Sequence, residues 1–498
     1  MNTSAIIYPN VSADYPDYLR DESRKTGTAD SISFPCCEQE ISQLLTEMTA
    51  QRIPVTVQGS RTGITAGAIP NGGHILNLSR MNHISPVSYT PEGTASVTVQ
   101  PGVILSELRD SISDHFFPPD PTETSASIGG MVSCNASGAC AYLYGPTRKW
   151  VRSIRVVLAD GSILQLQRGE QQAAERHFSL HTESARTITG ALPSYTMPNV
   201  KNAAGLYVQD NMDLIDLFIG SEGTLGIISE IELAILPAIT SRWGLMMFFP
   251  NEESAIKSVI ALRALPTQPA AIEFFDSNAI DLLRQQRAAN SAFADLPELP
   301  TDWHTALYIE NHCPSEDCAE QSTMTMAQTM TECGGNEDAT WLASDHKELT
   351  RLKDFRHAIP EAVNLQIDHR RKEEPQLTKL GTDLAVPDQE LRASFDMYRA
   401  GLSDTGLQHV IFGHIGNNHV HVNIIPSNMS QYQQGKELYL QWARKVVDMG
   451  GTVSAEHGIG KIKKNMLAEL YGQDGLQEMK SVKNVFDPLN IINPDNVF

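Results

Sequence analysis

Three glycine-rich segments, each next to a strand-like run, constrain this chain more than any other feature. The first is "VTVQGSRTGITAGA", residues 55–68, where Gly59, Gly63 and Gly67 recur every four residues directly after a strand. Glycines at that spacing let the backbone turn tightly and direct several N–H groups at one anion, as a diphosphate requires. The second is "DPTETSASIGGMVSCNASGACAYLYG", 120–145, whose small residues and paired Gly129–Gly130 allow something flat to lie close to the backbone. The third, "LFIGSEGTLGIISEIEL", 217–233, places glycines and Glu222 before a strand. The first is not GxGxxG, and no GK[ST] follows it, so neither a dinucleotide fingerprint of the Rossmann type nor a triphosphate loop is indicated.

The pattern changes after Pro237. Up to that point a helix, "CEQEISQLLTEMTAQR", and strands "IPVTVQ", "GHILNL", "ASVTVQP", "SIRVVLA" and "GIISEIELAIL" are joined by glycine turns, with "DGS" closing a hairpin. Beyond it, strands such as "RWGLMMFFP", "AAIEFFD", "TALYIENH", "TKLGTDLAVP" and "HVIFGHI" alternate with helices of clear 3.6-residue spacing. This predicts an α+β fold whose second domain, residues 239–450, has an antiparallel sheet with helices on one face. Residues 1–238 form the first domain, and 451–498 a tail of turns and short helices returning to it.

Near the C-terminus, "FGHIGNNHVHVN" (412–423) and "SAEHGIGK" (454–461) bring together four histidines and a glutamate. If 419–423 is a strand, His419, His421 and Asn423 share one face and Val420 and Val422 the other. Imidazole and carboxylate suit Zn²⁺, Mn²⁺ or Fe²⁺.

Composition closes off other functions. A formal net charge of −21 argues against nucleic acid or an anionic membrane as main partner. The seven cysteines form no CxxC pair, so neither a disulfide framework nor a Cys-ligated iron–sulfur cluster is expected. No run approaches a membrane span and no secretory signal is visible, so the expected location is cytoplasmic, with attachment to the inner face of the membrane left open.

Taken in order, these segments resemble the vanillyl-alcohol oxidase/p-cresol methylhydroxylase flavoproteins, in their D-lactate dehydrogenase, glycolate oxidase subunit and D-2-hydroxyglutarate dehydrogenase branch. The family's pyrophosphate loop maps onto 57–68, its DPT…SxGG element onto 120–130 and its GSEGTLGI element onto 220–227. "GHIGNNHVHV", "EHGIGK" and "FDPLNIINPDNVF" match its closing motifs. The resemblance implies non-covalent FAD, held by Val57, Gln58, Gly59, Ser60, Arg61, Thr62 and Gly63 in the first segment. In the second it implies Pro121, Thr122, Ser127, Gly129, Gly130, Asn135, Ser137, Gly138 and Tyr144; later come Glu222, Gly223, Gly226, Ile227 and Asn493. It also implies a divalent metal on His414, His421 and Glu456, His457 as the base, and Arg356 and Lys379 on a substrate carboxylate, with Asn417 and His419 contacting substrate. The implied reaction is oxidation of a D-2-hydroxy acid to the 2-oxo acid by hydride transfer to flavin N5. Electrons would pass to a quinone, an electron-transfer flavoprotein or an iron–sulfur partner subunit, and a homodimer is compatible.

The sequence departs from the family in two places. Asn417, Asn418 and His419 replace the usual Asp-Gly-Asn, and Gln58 and Arg61 replace a common Arg and Gly. Two rival readings follow: an oxygen-using oxidase of the same fold, and a catalytically silent flavin-binding subunit of an electron-transfer complex.

Overall fold

The computed structural model describes residues 5–91 and 93–498. The chain begins in a four-stranded sheet ordered Ile7–Pro9, Ser31–Ser33, His74–Asn77, Val55–Gln58, of which the last three strands run parallel. Helix Glu38–Gln51 covers it with Ile41, Leu44, Leu45 and Met48, the one-sided spacing that marks an amphipathic helix. An antiparallel five-stranded sheet follows, ordered Ser88–Tyr89, Ala95–Val99, Ile227–Ala234, Val151–Val157, Ile163–Gln167. The last two of these form the expected hairpin.

From Ser241 a seven-stranded sheet takes over, ordered Asn336–Ala343, Ser241–Phe249, Thr305–Cys313, Ala271–Phe275, His409–Gly413, His421–Ile424, Leu380–Gly381, with every pairing antiparallel. Its helices lie on both faces, not one. Met246 and Phe248 pack with helices Ser277–Ala289 and His346–Arg370, while Leu245, Met247 and Phe249 join the core that holds helix Glu252–Arg263. The reason is visible in the strand itself: "GLMMFF" is apolar at successive positions, so both sides must be covered.

Other expectations shift too. "TKLGTDLAVP" contributes only a two-residue edge strand, Leu380–Gly381. Strand His421–Ile424 starts after His419, which stands in the turn beyond Asn418 (φ 52°). The tail contains a long helix, Lys464–Phe486, kinked at Gly472, before its last residues rejoin the first sheet. There Val55 N donates to Ile491 O (2.7 Å) and Asn493 N to Val55 O (2.8 Å), so the C-terminus lies along the strand that feeds the first glycine segment.

Candidate flavin cleft and imidazole cluster

The three glycine segments converge on one cleft of about 320 Å³. Gly59 shows why the residue type matters: a Cβ there would stand 2.1 Å from Ser127 Oγ, so only glycine lets the first two segments touch. Ser127 in turn caps helix Ile128–Cys134, accepting from Gly130 N at 3.3 Å and from Ser60 N at 3.4 Å. Asn493 joins the first and third segments: its Oδ1 accepts from Val57 N (2.8 Å) and its Nδ2 donates to the carbonyls of Glu222 and Gly223. Glu222 faces the C-terminal segment, its buried carboxylate accepting from Ile459 N (2.6 Å) and Gly460 N (2.8 Å). Burial outweighs those two donors and lifts its carboxyl to about 7.

Val57, Gly59, Ser60, Arg61, Thr62 and Gly63 line the cleft, as do Pro121, Thr122, Ser127, Gly129, Gly130, Ser137, Gly138, Glu222, Gly223, Gly226, Ile227 and Asn493. Three residues of the expected set do not. Gln58 turns inward and donates to the carbonyls of Tyr18 and Ala68, both at 2.8 Å. Asn135 ends its helix at φ 49° and accepts from Arg148 N. Tyr144 bonds His312 Nδ1 on the facing domain. Arg61 holds a left-handed backbone (φ 62°), the conformation its usual glycine counterpart adopts freely, with its guanidinium 4.2 Å above the Tyr18 ring. Small side chains and loop N–H groups form most of this wall, a surface suited to a flat ring system carrying a diphosphate.

At one end of the cleft stand His414, Glu456 and His457. Glu456 divides its carboxylate. Oε2 accepts from Lys201 Nζ at 2.6 Å, whereas Oε1 lies 3.4 Å from Nε2 of each of His414, His421 and His457. Two ligands about 2.1 Å from a tetrahedral metal stand roughly 3.4 Å apart, so this spacing fits a cation. The ring orientations fit as well. His414 Nδ1 donates to Glu273 Oε1 (2.6 Å) and His421 Nδ1 to Thr382 O (3.0 Å), which leaves both Nε2 atoms turned toward Glu456. Burial acts to lower His414, yet Glu273 and Glu456 outweigh it and lift the imidazole to about 9, so positive charge is favoured here. Burial would likewise raise Glu456, but Lys201 and the imidazoles hold it well below its ordinary value.

His419 sits elsewhere than its expected place against substrate. It is fully buried, off the cleft lining, and although it falls within 4.8 Å of the cluster its Nδ1 faces Lys201 Nζ at 3.5 Å. Burial first, then His421, pushes it down to about 3. Asn417 lines neither this cleft nor the cavity beside it. Arg356 pairs with Glu273 (3.3 Å) and opens onto that second cavity, while half-buried Lys379 lines neither and has no ion-pair partner among the described residues. The two residues expected on the substrate carboxylate are therefore not gathered in one pocket.

Sequence reading missed three groups that organise the cluster. Asp383, wholly buried, accepts from Lys463 Nζ (2.6 Å), Ser454 Oγ (2.7 Å) and the N–H groups of Glu456 and His457, fixing the segment that carries both. Glu273 is the lone charge in the apolar strand Ala271–Phe275, a usable signal, because such residues are seldom buried without a partner. Lys201, in "VKNAAGL", carries no comparable mark.

The comparisons agree with this architecture. Residues 241–497 match the model of the FAD linked oxidases, C-terminal domain, and residues 29–167 that of the FAD binding domain. The chain belongs to the FAD-linked oxidases and is an FAD-dependent oxidoreductase. Among its relatives it is 30% identical to a probable mitochondrial D-lactate dehydrogenase of Danio rerio, over 98% of this chain and 88% of that protein. It is 28% identical to glycolate oxidase subunit GlcD of Bacillus subtilis (94% and 89% covered) and 27% identical to a D-2-hydroxyglutarate dehydrogenase of Xanthomonas citri (98% and 93%). A 4-ethylphenol oxidase from Gulosibacter chungangensis shares the fold, with a TM-score of 0.66 at 15% identity over 99% of this chain and 94% of that one. No helix among the described residues is long and apolar enough to cross a membrane.

Proposed function

We propose that the protein is an FAD-dependent dehydrogenase that oxidises a D-2-hydroxy acid to the 2-oxo acid with the help of a divalent metal. Residues 1–238 and 451–498 hold the flavin, and 239–450 form the cap over the substrate. The single observation that carries the reading is Glu456 Oε1 standing 3.4 Å from three imidazole nitrogens at the end of a glycine-lined cleft. The relatives named for D-lactate and D-2-hydroxyglutarate support the substrate class.

FAD, when bound, supplies the acceptor for the hydrogen and electron pair that leave C2, and the metal supplies a Lewis acid for the substrate hydroxyl. The chain does the rest. His414, His421 and Glu456 hold the metal, with Glu273 and the Thr382 carbonyl fixing the two rings. His457, part-exposed at the cleft and held from behind by its N–H bond to Asp383, takes the hydroxyl proton. Arg356, between the cluster and the second cavity, holds the C1 carboxylate as a bidentate donor. Lys379 has no part in this reading.

Anaerobic mixing of the holoenzyme with a panel of D- and L-2-hydroxy acids tests it. D-isomers should bleach the flavin, and exhaustive chelation should slow the bleaching without releasing FAD. Absence of bleaching by every acid would leave the silent-subunit reading in its place. Stoichiometric oxygen uptake during aerobic turnover would make the protein an oxidase.

A further inference from the structure

Next to the flavin cleft, and sharing Pro121 and Thr122 with it, lies a second cavity of about 450 Å³ where the two domains meet. Four cationic side chains line it: Arg109 from helix Leu105–Ser111, Arg242 from strand Ser241–Phe249 of the seven-stranded sheet, and Lys353 and Arg356 from helix His346–Arg370. In a chain of net charge −21 such a grouping is not background.

The carboxylates present do not balance it. Glu310 is engaged by His312 Nε2 (2.8 Å) and Tyr308 Oη (2.9 Å), with Lys353 Nζ at 4.0 Å. Glu273 holds Arg356 and His414 together. Asp120 spends Oδ1 on Cys140 N (3.0 Å), and burial raises its carboxyl. Arg109 donates only to Pro119 O (3.1 Å), and Arg242 stacks on Phe116 at 5.1 Å; neither has an ion-pair partner among the described residues. Burial depresses Arg109; Asp120 acts against that, and the charge of Arg242 adds to it. Two guanidinium groups from two domains thus face one partly buried space with Asp120 as the nearby carboxylate and no ion pair to either, an arrangement that leaves positive charge to be matched by an entering anion.

A metal is the wrong occupant. Cys140, Glu310 and His312 do come within ligand reach of one another, but both His312 nitrogens are used, Nε2 by Glu310 and Nδ1 by Tyr144 Oη. Burial pushes the Cys140 thiol well above its ordinary value, so no thiolate is at hand.

The cavity is also tied to the reacting end. Arg356 in its wall is one carboxylate, Glu273, away from His414. Phe116 and buried Phe117 supply an apolar shelf beside the cations, suited to a short methylene chain.

We propose that this cavity receives a second carboxylate of the substrate, so that the enzyme acts on dicarboxylic 2-hydroxy acids, with Arg109 and Arg242 as the residues that select them. The proposal rests on the dehydrogenase reading above and narrows its substrate class. In it, the hydroxyl-bearing end lies at His414 and His457, the chain passes Pro121–Thr122, and the far carboxylate meets the two arginines.

Two measurements on the holoenzyme decide it. Anaerobic flavin reduction is followed with D-malate, D-2-hydroxyglutarate and D-2-hydroxyadipate against D-lactate and D-2-hydroxybutyrate, in wild type, Arg109→Gln and Arg242→Gln. A charge-assisted pair contributes enough for roughly a tenfold to hundredfold preference for the best diacid over monoacids of similar size, expressed in KM rather than kcat. Each variant should collapse that preference. Monoacids performing as well as diacids in wild type, or Arg242→Gln weakening both classes alike, would overturn the proposal. If Arg109→Gln does not fold, Arg242→Gln and the wild-type comparison still decide. Calorimetric titration with glutarate and with butyrate, neither of which can be oxidised at a hydroxyl, separates the two layers of inference. Glutarate binding lost in Arg242→Gln, in an enzyme that no hydroxy acid reduces, would sustain the anion site and defeat the dehydrogenase reading. Equal binding of glutarate and butyrate would defeat the site.

Discussion

The glycine-lined cleft and the imidazole cluster share His414, Glu456 and His457, yet they are built by opposite means. The cleft is made mainly of backbone: loops brought together where Gly59 touches Ser127 and where Asn493 ties two segments. The cluster is made of side chains, three imidazoles around one carboxylate with Glu273, Asp383 and Lys201 behind them, whose partners come from distant parts of the chain. A backbone surface tolerates side-chain substitution so long as φ and ψ survive. A side-chain cluster does not, because each ring is oriented by a particular second atom. Arg61 accordingly stands in a left-handed backbone with its side chain stacked on Tyr18, whereas His419 is a buried ring fixed against one particular atom, Lys201 Nζ at 3.5 Å.

The contrast can be broken most decisively at His457. Replacing it with Asn should slow anaerobic flavin reduction by roughly 10²–10⁴-fold, the usual contribution of a general base, while FAD content stays at wild-type level. Parallel loss of FAD would mean that the cluster and the cleft are one unit.

Glu222 is the hinge between the regions, lining the cleft and accepting N–H bonds from 459–460. Its carboxyl is raised by burial from about 4.5 to about 7, so the native state holds this proton to higher pH than the unfolded chain does. The stability it contributes is full below about 4.5 and is lost as pH rises through about 7. That loss is on the order of 3 kcal/mol. Denaturant titrations between pH 5 and 8 should show this downward component in wild type and its absence in Glu222→Gln.

A smaller effect is expected at Glu273, the partner of His414 Nδ1. Glu273→Gln should weaken metal binding by roughly 10–100-fold, measured by chelator competition, with the flavin spectrum unaltered. Smallest of all is Arg61→Gly. It relieves a left-handed backbone and loses a cation–π contact, effects of about 1 kcal/mol that oppose each other. FAD affinity should stay within about threefold of wild type, and a large loss would show that the cleft depends on that side chain after all.

What the sequence determined by itself is whatever repeats or turns locally. Glycines after a strand announce a loop that approaches something closely, and Ile41, Leu44, Leu45 and Met48 announce a helix with one buried face. The continuous apolar run in "GLMMFF" carries the information that both faces of its sheet are covered, because a half-exposed strand alternates apolar with polar residues. His414, His421, Glu456 and His457 were legible because they lie in two short segments, each next to glycines.

Tertiary structure decided the rest. Lys201 meets Glu456 across 255 residues, Asp383 receives Lys463 across 80, and Arg109 and Arg242 come from different domains to face one cavity. Periodicity and spacing record only what a residue does within its own helix, strand or turn. A buried charge is stabilised by whichever opposite charge the fold delivers to it, and that partner leaves no mark nearby in the chain. So the sequence declared that imidazoles, a carboxylate and glycines would meet. Which lysine neutralises the carboxylate, and which arginines line the cavity beside it, depended on which distant segments the fold brings together.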